Sequence, residues 1–427
     1  MSSVTGLAAD SGAIACSTLI PLGVPIPRRG PPLQSVEVIR DGLVTWDRGV
    51  ITYAGPADGP EASRVADASG VMDASGMTLV PGFVDCHTHL PFFGWRADEY
   101  AARLAGTTYR DQHGEGGIYR SARLLTEASD DEVIAFCKPL AAEMLEHGTT
   151  ALELKTGYGL SVEGELRQAR LARRLSAEIP QTCSVTLLAC HAVPRGMDRA
   201  EWVRVVCEEL VPRAAEEGLV DAVDVYVEDI AFSIGDLERV AETAREWELP
   251  LRCHADQLGP SSAAEAAVRL GARSADHLNH VSSAGIEALG GADTVATLLP
   301  ASTLTLRSPP PRVVDLLASG AAVAVASDFN PGTSPVLSMP EVIALACSLY
   351  RMAPLAALAA TTVNSAHALG LSDRLGSLDV GKRADMVLIE GDDFAMVPYR
   401  PGHNPVAAVF VGGREVMDRM GNRPTLE

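Results

Sequence analysis

The sequence predicts an α/β fold: a (β/α)8 TIM-like barrel with a small β-sandwich domain formed from both termini. Three observations predict this fold. From residue 77 onward, apolar runs of strand length alternate with amphipathic helical runs. Histidines and aspartates recur at the ends of those apolar runs. Short alternating strands with glycine turns lie near both ends of the chain.

The barrel is predicted from eight apolar runs, which is the number a (β/α)8 barrel needs. Helical segments lie between them, such as residues 130–148, which begin with acidic residues and end at Gly148, a predicted C-cap. In chain order the runs are MTLVPGFVDCHTH (77–89), TALELK (150–155), SVTLLACH (184–191), DAVDVYVE (221–228), LRCHAD (251–256), SADHLNH (274–280), DTVATLLP (293–300) and AAVAVASDFN (321–330).

The two ends of the chain predict the small domain. Residues 36–56 hold two alternating strands around an Asp-Arg-Gly turn, which is typical of a hairpin. Residues 376–390 and 407–416 again contain short strands and glycine turns. We therefore expect residues 1–76 and 371–427 to form the small β-domain and residues 77–370 to form the barrel.

Charge and composition exclude several classes of protein. The chain has 427 residues, 47% of them hydrophobic, and a net charge of −20, which argues against nucleic acid and anionic membranes as partners. No apolar run is long enough for a transmembrane helix, and the first residues lack the basic start of a secretory signal. The eight cysteines include no CxxC pair, so we expect reduced thiols and a cytoplasmic protein.

The strand ends predict a metal site. His87 and His89 are two residues apart, so their side chains share one face of the first strand and point into the barrel mouth. His254 and Asp328, at two other strand ends, could complete a set of three imidazoles and one carboxylate, which suits zinc or iron. Such a metal would activate a water, and Asp328 could accept its proton.

A single metal is expected because the fourth run, DAVDVYVE, contains no lysine that could be carboxylated to bridge two metals. Glu228 is the weaker candidate for such a bridge. Lys155 ends the second run and is either a structural ion-pair partner or a cation of the site. The cysteines that precede strand-end histidines should face away from the barrel mouth and be buried: Cys86, Cys190 and Cys253.

The motifs resemble those of the amidohydrolase superfamily and, in finer detail, its imidazolonepropionase family. The resemblance covers about residues 80–335, and GSLDVGKRADMVLIE matches at the level of the superfamily. The motifs that carry it are PGFVDCHTHLPFFGWRADEY, RLAGTTY, ELKTGYGL, HAVP, HADQL, SADHL and SDFNPGTSP.

The resemblance implies opening of 4-imidazolone-5-propanoate to N-formimino-L-glutamate, a step of histidine degradation, by a metal-activated water. It implies metal ligation by His87, His89, His254 and Asp328. Catalytic roles would fall on Asp328, His277 and Gln257. Contacts with the substrate would fall on Arg96, Tyr109, Tyr158, His191, Gln257, Asn330, Gly332 and Thr333. We also expect a homodimer that takes a small substrate bearing a carboxylate.

The chemistry of individual residues supports part of this implied site. The planar fork of Arg96 suits a carboxylate, although an ion pair with Asp98 or Glu99 is the structural alternative. Tyr158, between two glycines of a strand-end loop, is expected to be an exposed contact residue. His191 could donate to a ring carbonyl. The remaining histidines lack strand-end positions and are expected to be structural: His113, His147, His280, His367 and His403.

Other functions remain open at this point. A deaminase or another ring hydrolase could use the same barrel, because a fold does not fix a function. The amide of Gln257 argues against a deaminase that needs a carboxylate to carry protons, since an amide does no acid–base work. A scaffold protein without catalysis should lack some of the four metal ligands, and all are present. The sequence departs from the family at Glu115, where relatives carry a third glycine, and in its first 35 residues.

Overall fold

A computed structural model of the chain describes residues 11–30, 33, 35–60, 62, 70–113 and 116–420. Two sheets account for the strands in these residues, one of eight strands and one of seven. Glu115 and the first ten of the 35 N-terminal residues that depart from the family lie outside the described ranges. None of the helices in the described ranges combines the length and the hydropathy that a membrane span requires.

The eight-stranded sheet is the predicted barrel, and this part of the prediction is confirmed. Its strands follow one another in chain order, and each pairs in parallel with the next. The strands are β5 (Phe83–Asp85), β6 (Thr149–Lys155), β7 (Thr182–Cys190), β8 (Ala222–Val227), β9 (Leu251–Ala255), β10 (Ser274–His277), β11 (Val295–Leu298) and β12 (Val323–Val325).

The first and last barrel strands meet through loop residues and side chains. Thr88 and Phe329 form an isolated parallel bridge, and the amide of His89 donates to the carbonyl of Phe329 at 2.9 Å. The buried carboxylate of Asp85 accepts from the amide of Ser327 at 3.0 Å and from its hydroxyl at 2.5 Å. These contacts nearly close the barrel and bring His89 next to Asp328.

Helices cover the outside of the barrel, and most of the chain's apolar core lies between them and the strands. The helix of residues 130–146 begins with a capping box at Ser129 and is followed by Gly148 at φ +87°, as its sequence predicts. The helices are α1 (Ala97–Leu104), α2 (Tyr109–His113), α3 (Gly117–Glu127), α4 (Asp130–Glu146), α5 (Val162–Glu178), α6 (Arg199–Val205), a π-helical turn (Val206–Leu210), α7 (Val211–Glu216), α8 (Ile234–Glu246), α9 (Ala263–Leu270), α10 (Ser283–Leu289), α11 (Pro300–Leu306), α12 (Val313–Ala318), α13 (Met339–Tyr350), α14 (Pro354–Ala360), α15 (Val363–Leu369) and α16 (Met396–Tyr399).

The flanking domain is one mixed sheet made by both ends of the described chain, in the order β15-β14-β13-β4-β1-β2-β3. Trp46 and Phe410, on strands far apart in this order, face each other with ring centroids 6.0 Å apart. The sheet therefore curls over its own core like a sandwich. Its strands are β1 (Gly12–Leu19), β2 (Ile39–Asp47), β3 (Val50–Pro56), β4 (Val71–Pro81), β13 (Met386–Glu390), β14 (Val406–Val411) and β15 (Arg414–Asp418).

The run of residues 77–89 was predicted to be one barrel strand, and this is wrong. Residues up to Pro81 belong to β4, which pairs with β13 in the flanking sheet, and only Phe83–Asp85 pair in the barrel. The break occurs at Gly82, where a Cβ atom would overlap the side chain of Thr150. An apolar run alone does not reveal that its two halves are buried in different sheets.

Candidate active site and metal centre

A cavity lies at the carboxyl ends of the barrel strands, where βα-loops converge. Eleven of its thirteen lining residues were predicted for the site, and two, Ile118 and Tyr226, were not. Its lining residues are His89, Arg96, Tyr109, Ile118, Tyr158, His191, Tyr226, His254, Gln257, His277, Asp328, Asn330 and Thr333.

The four predicted metal ligands come together beneath this cavity. Nε2 of His89 lies 3.3 Å and Nε2 of His87 3.6 Å from Oδ1 of Asp328. The rings of His87 and His254 have centroids 4.5 Å apart. One atom each from His87, His89 and Asp328 lies close enough for all three to contact one ion.

The donor atoms are arranged as a metal cation requires. Nδ1 of His87 lies 2.7 Å from Oδ2 of Asp276, and Nδ1 of His254 lies 3.0 Å from Oδ2 of Asp224. At His87 the carboxylate accepts the proton of Nδ1, which favours the tautomer whose Nε2 lone pair is free, while Asp224 lies at ion-pair distance from His254. Both Nε2 atoms are buried and have no hydrogen-bond partner in the described residues. The residues therefore fit a metal.

A buried ionic network supports these histidines from below. Nζ of Lys155 lies 2.7 Å from Asp224 and 2.9 Å from Glu153, and all three side chains are fully buried. Arg252 contacts Glu153 at 2.5 Å. Because carboxylates neutralise its charge within the strand layer, Lys155 is a structural ion-pair partner and does not line the cavity.

The backbone is strained where two of the site residues stand. His277 has φ +79° and Asp328 φ +55°, a region that side chains other than glycine seldom adopt. Burial lowers the pKa of His277 to about 3. A neutral ring at this position can donate one hydrogen bond and accept another.

Asp328 is held as a carboxylate. Burial alone would raise its pKa, but the hydrogen bond from His89 and the electrostatic influence of the neighbouring histidines lower it below the ordinary range. The side-chain amide of Asn330 also donates to Oδ1 of Asp328, at 3.2 Å. An ionised oxygen at this position can ligate a cation or take a proton.

Arg96 lies in the wall of the cavity with its side chain buried. Its Nη1 is 3.4 Å from Oε2 of Glu99, which is the ion pair considered as the structural alternative. The two roles are compatible, since Nε of Arg96 is buried without a hydrogen-bond partner among the described residues. A Cβ atom at position 332 would overlap the guanidinium, so a glycine at this position leaves room for the side chain of Arg96.

Tyr158 was expected to be exposed, and this is wrong: only 1% of its surface is accessible. Its loop folds inward because the carboxylate of Glu165 accepts the amides of Gly157, Gly159 and Leu160 at 2.7 to 3.0 Å. The ring of Tyr158 thereby lines the cavity beside those of His89 and His191. A carboxylate in the first turn of the following helix is the sequence signal that could have predicted this loop.

His191 and Gln257 lie on the same cavity. Nδ1 of His191 donates to the carbonyl of Gly157 at 3.1 Å, which fixes the ring. The carboxylate of Glu228 accepts the amides of Gln257 and Leu258 at 2.6 and 2.8 Å. Glu228 thus anchors the loop of Gln257 and does not point at the metal ligands.

Asn330 organises the loop after the last barrel strand. Its side-chain oxygen accepts the amides of Gly332 and Thr333 at 2.9 and 2.7 Å, and its nitrogen donates to the carbonyl of Asp328 at 2.6 Å. These bonds occupy much of its amide, so Asn330 shapes the loop that carries Thr333. Gly332 lines a neighbouring groove and meets the cavity only through Arg96.

Sequence reasoning missed several residues that complete the site. They are charged or hydroxylated residues inside largely apolar strands, close to the strand ends, and that pattern is the signal that could have found them. They are Glu153, Asp224, Tyr226, Arg252 and Asp276.

The residues expected to be structural lie elsewhere. Cys86, Cys190 and Cys253 are buried, and burial raises the pKa of each thiol. The described side chains of the other histidines do not line the cavity. They are His147, His280, His367 and His403; the side chain of His113 lies outside the described residues.

The model of the amidohydrolase family matches residues 78–416. An imidazolonepropionase from Cupriavidus taiwanensis is 42% identical over 389 residues, which are 90% of this chain and 93% of that protein. An imidazolonepropionase from Deinococcus radiodurans is 41% identical over 92% of this chain and 96% of its own length.

Two solved structures share the fold at lower identity. An adenosine deaminase from Xanthomonas campestris with bound zinc has a TM-score of 0.70 and 20% identity, and the match covers 95% of this chain and 92% of that one. Guanine deaminase from E. coli has a TM-score of 0.72 and 17% identity, over 96% of this chain and 100% of its own. At this identity the likeness concerns the fold alone.

Proposed function

This chain belongs to the amidohydrolase family, and from that premise we propose that it hydrolyses the cyclic amide of 4-imidazolone-5-propanoate to N-formimino-L-glutamate. The observation that carries the proposal is one cavity lined by His89, His254 and Asp328, beside His87, and by the buried guanidinium of Arg96; His87, His89 and Asp328 lie close enough together to contact one ion. The substrate has the matching parts, a ring amide to be attacked and a carboxylate several bonds away. The imidazolonepropionase relatives, about 40% identical over nearly the whole chain, support the same activity.

A metal would be held by His87, His89, His254 and Asp328. When bound, a metal ion supplies Lewis acidity, which lowers the pKa of a water and polarises a carbonyl. We propose one zinc or iron ion per chain. Zinc is favoured by the imidazole-rich donor set and is present in the deaminase structure of the same fold.

The residues of the chain then perform the proton transfers. Asp328 takes a proton from the attacking water as the ring carbonyl carbon gains its new C–O bond. It returns that proton to the ring nitrogen as the C–N bond breaks, so water adds across the amide and the products balance. His277, held neutral by burial, donates a hydrogen bond to the oxygen on which negative charge develops.

The remaining cavity residues hold the substrate. Arg96 pairs with the propionate, and Tyr109, Tyr158 and Thr333 complete the wall around it. The ring of His191 and the side-chain amide of Gln257 form hydrogen bonds with the heterocycle of the substrate. Because Gln257 cannot carry protons, a deaminase that relies on a carboxylate at this position is disfavoured.

An ultraviolet assay for loss of the imidazolone chromophore tests the proposal directly. The metal-loaded protein should consume the substrate and release formimino-glutamate, which mass spectrometry identifies. Adenosine, guanine and cytosine serve as controls for deamination. If the chromophore persists while ammonia is released from one of the controls, the proposed reaction is wrong and the deaminase alternative is supported.

The assembly and location of the enzyme complete the proposal. We propose a homodimer, for which the exposed side chains of Trp95 and Tyr100 on a groove beside the cavity offer apolar surface. Light scattering during gel filtration measures the mass of the assembly. A cytoplasmic location is supported by the eight cysteines, all of which are free thiols.

A further inference from the structure

We propose that the hydroxyl of Tyr226 hydrogen-bonds the heterocycle of the substrate and thereby contributes to the choice of ring. The inference rests on the proposed function and extends it to a residue that neither the motifs nor the expected contacts include. It depends on the position of Tyr226 in the cavity and on the absence of a hydrogen-bond partner for its hydroxyl among the described residues.

Tyr226 occupies the middle of three inward-facing positions at the end of β8. Asp224 and Glu228, two residues before and after it, face the same way because side chains alternate along a strand. Asp224 supports His254, and Glu228 anchors the loop of Gln257. Asp224 and Glu228 therefore each contact another residue of the site, and Tyr226 lies between them in the sequence.

The ring of Tyr226 lies at the metal end of the cavity. Its centroid is 5.6 Å from that of His254 and 5.9 Å from that of His191. In the proposed function His254 holds the metal and His191 hydrogen-bonds the reacting ring. A ligand that contacts both would also lie against Tyr226.

The hydroxyl of Tyr226 is buried and has no hydrogen-bond partner among the described residues, although it belongs to a side chain that lines the cavity. A buried polar group without a partner destabilises the folded protein, so such groups are rare and call for an explanation. Burial also raises the pKa of this phenol, so it stays protonated and able to donate. An imidazolone ring, with a carbonyl, an N–H and an imine nitrogen, provides partners for a group that both donates and accepts.

The test removes one oxygen. Tyr226→Phe should lower kcat/KM about 3- to 15-fold, the value of one hydrogen bond between uncharged groups, with metal content unchanged. The ligand-free variant should melt at the same temperature as the wild type or higher, because an unsatisfied buried hydroxyl is lost. Tyr350→Phe is the matched control: its hydroxyl is buried outside the cavity and bonded to Thr303 at 2.7 Å. That variant should melt lower and keep its kinetics.

A second substrate distinguishes a contact of Tyr226 with the ring from a contact with the carboxylate. The loss in Tyr226→Phe should be the same for an imidazolone that lacks the propionate. Wild-type kinetics in Tyr226→Phe, a fall in melting temperature like that of Tyr350→Phe, or a loss seen only with the propionate would each overturn the inference. If instead the wild type does not consume the imidazolone at all, the proposed function has failed, which is a different result.

Discussion

Asp276 lies directly behind His87: Oδ2 of the aspartate is 2.7 Å from Nδ1 of the histidine, and both side chains are buried. The contact fixes the ring and leaves Nε2 for the metal. Asp276→Asn should weaken metal binding about 10- to 100-fold, as loss of such supporting partners does elsewhere. Competition with a chelator measures the affinity. Asp293→Asn, at a fully exposed carboxylate, is the control; equal losses in both variants would contradict the role of Asp276.

Asp328 is expected to be indispensable for turnover. Asp328→Asn keeps the size of the side chain but cannot take a proton, so kcat should fall by about a thousandfold. Circular dichroism should show an intact barrel, and elemental analysis reports how much metal remains. Near-normal turnover per bound metal would rule out Asp328 as the base.

Arg96 is expected to bind the propionate group of the substrate. Arg96→Met should lower kcat/KM about 30-fold or more, because a charged bidentate pair is lost from a buried site. Lysine should restore only part of the loss, since a point charge lacks the planar fork. For a ring analogue without the propionate, the loss should largely vanish.

Arg120→Met is the matched control for Arg96. Arg120 also pairs with Glu99, at 3.6 Å, but does not line the cavity. If the two variants lose activity equally, and do so for both substrates, Arg96 shapes the loop through Glu99 and does not bind the carboxylate.

The purified enzyme should bind one metal ion per chain. On the fourth barrel strand, Asp224 lies beside Lys155 and Nδ1 of His254. Glu228, which follows that strand, accepts backbone amides, so neither carboxylate is placed to bridge two metals. Metal removal by a chelator should abolish activity, and titration of the apoprotein should restore it fully at one equivalent. A requirement for a second equivalent would contradict the mononuclear site.

The raised pKa of Glu228 predicts how the stability of the folded protein depends on pH. Burial raises the pKa of its carboxyl from 4.5 to about 7, so between these values the folded protein keeps a proton that the unfolded chain releases. Its contribution to stability therefore falls as the pH rises from 4.5 to 7 and is constant above. Glu228→Gln retains an oxygen for the amides of Gln257 and Leu258 but cannot titrate. The melting temperature of the variant minus that of the wild type should rise between pH 5 and pH 7.5; a flat difference would contradict the shifted pKa.

The sequence was informative about the barrel because its parallel strands are apolar and separated by helices. It was also informative about the cluster of histidines at the strand ends, since a period of two places His87 and His89 on one face. It could not divide residues 77–85 between two sheets, because both halves are equally apolar. The burial of Tyr158 was missed because it depends on Glu165, whose carboxylate folds the loop back toward the barrel.

The supporting network was missed for a related reason. Glu153, Asp224 and Asp276 lie within largely apolar runs, and each run alone predicts only a strand. Lys155 pairs with Glu153 on its own strand and with Asp224 and Asp276 on two strands further round the barrel, so the network exists only once the barrel is assembled.

The contact between Asp85 and Ser327 joins residues 242 positions apart, and the metal ligands lie on both sides of that seam. During synthesis, His87 and His89 leave the ribosome long before Asp328, so the nascent chain carries half a binding site while most of the barrel is still being made. In the proposed function, the ion would therefore be captured late in the maturation of the chain. A chain that retains the metal would therefore have been translated and folded through its final barrel strand. A chain terminated before that strand would not retain the metal.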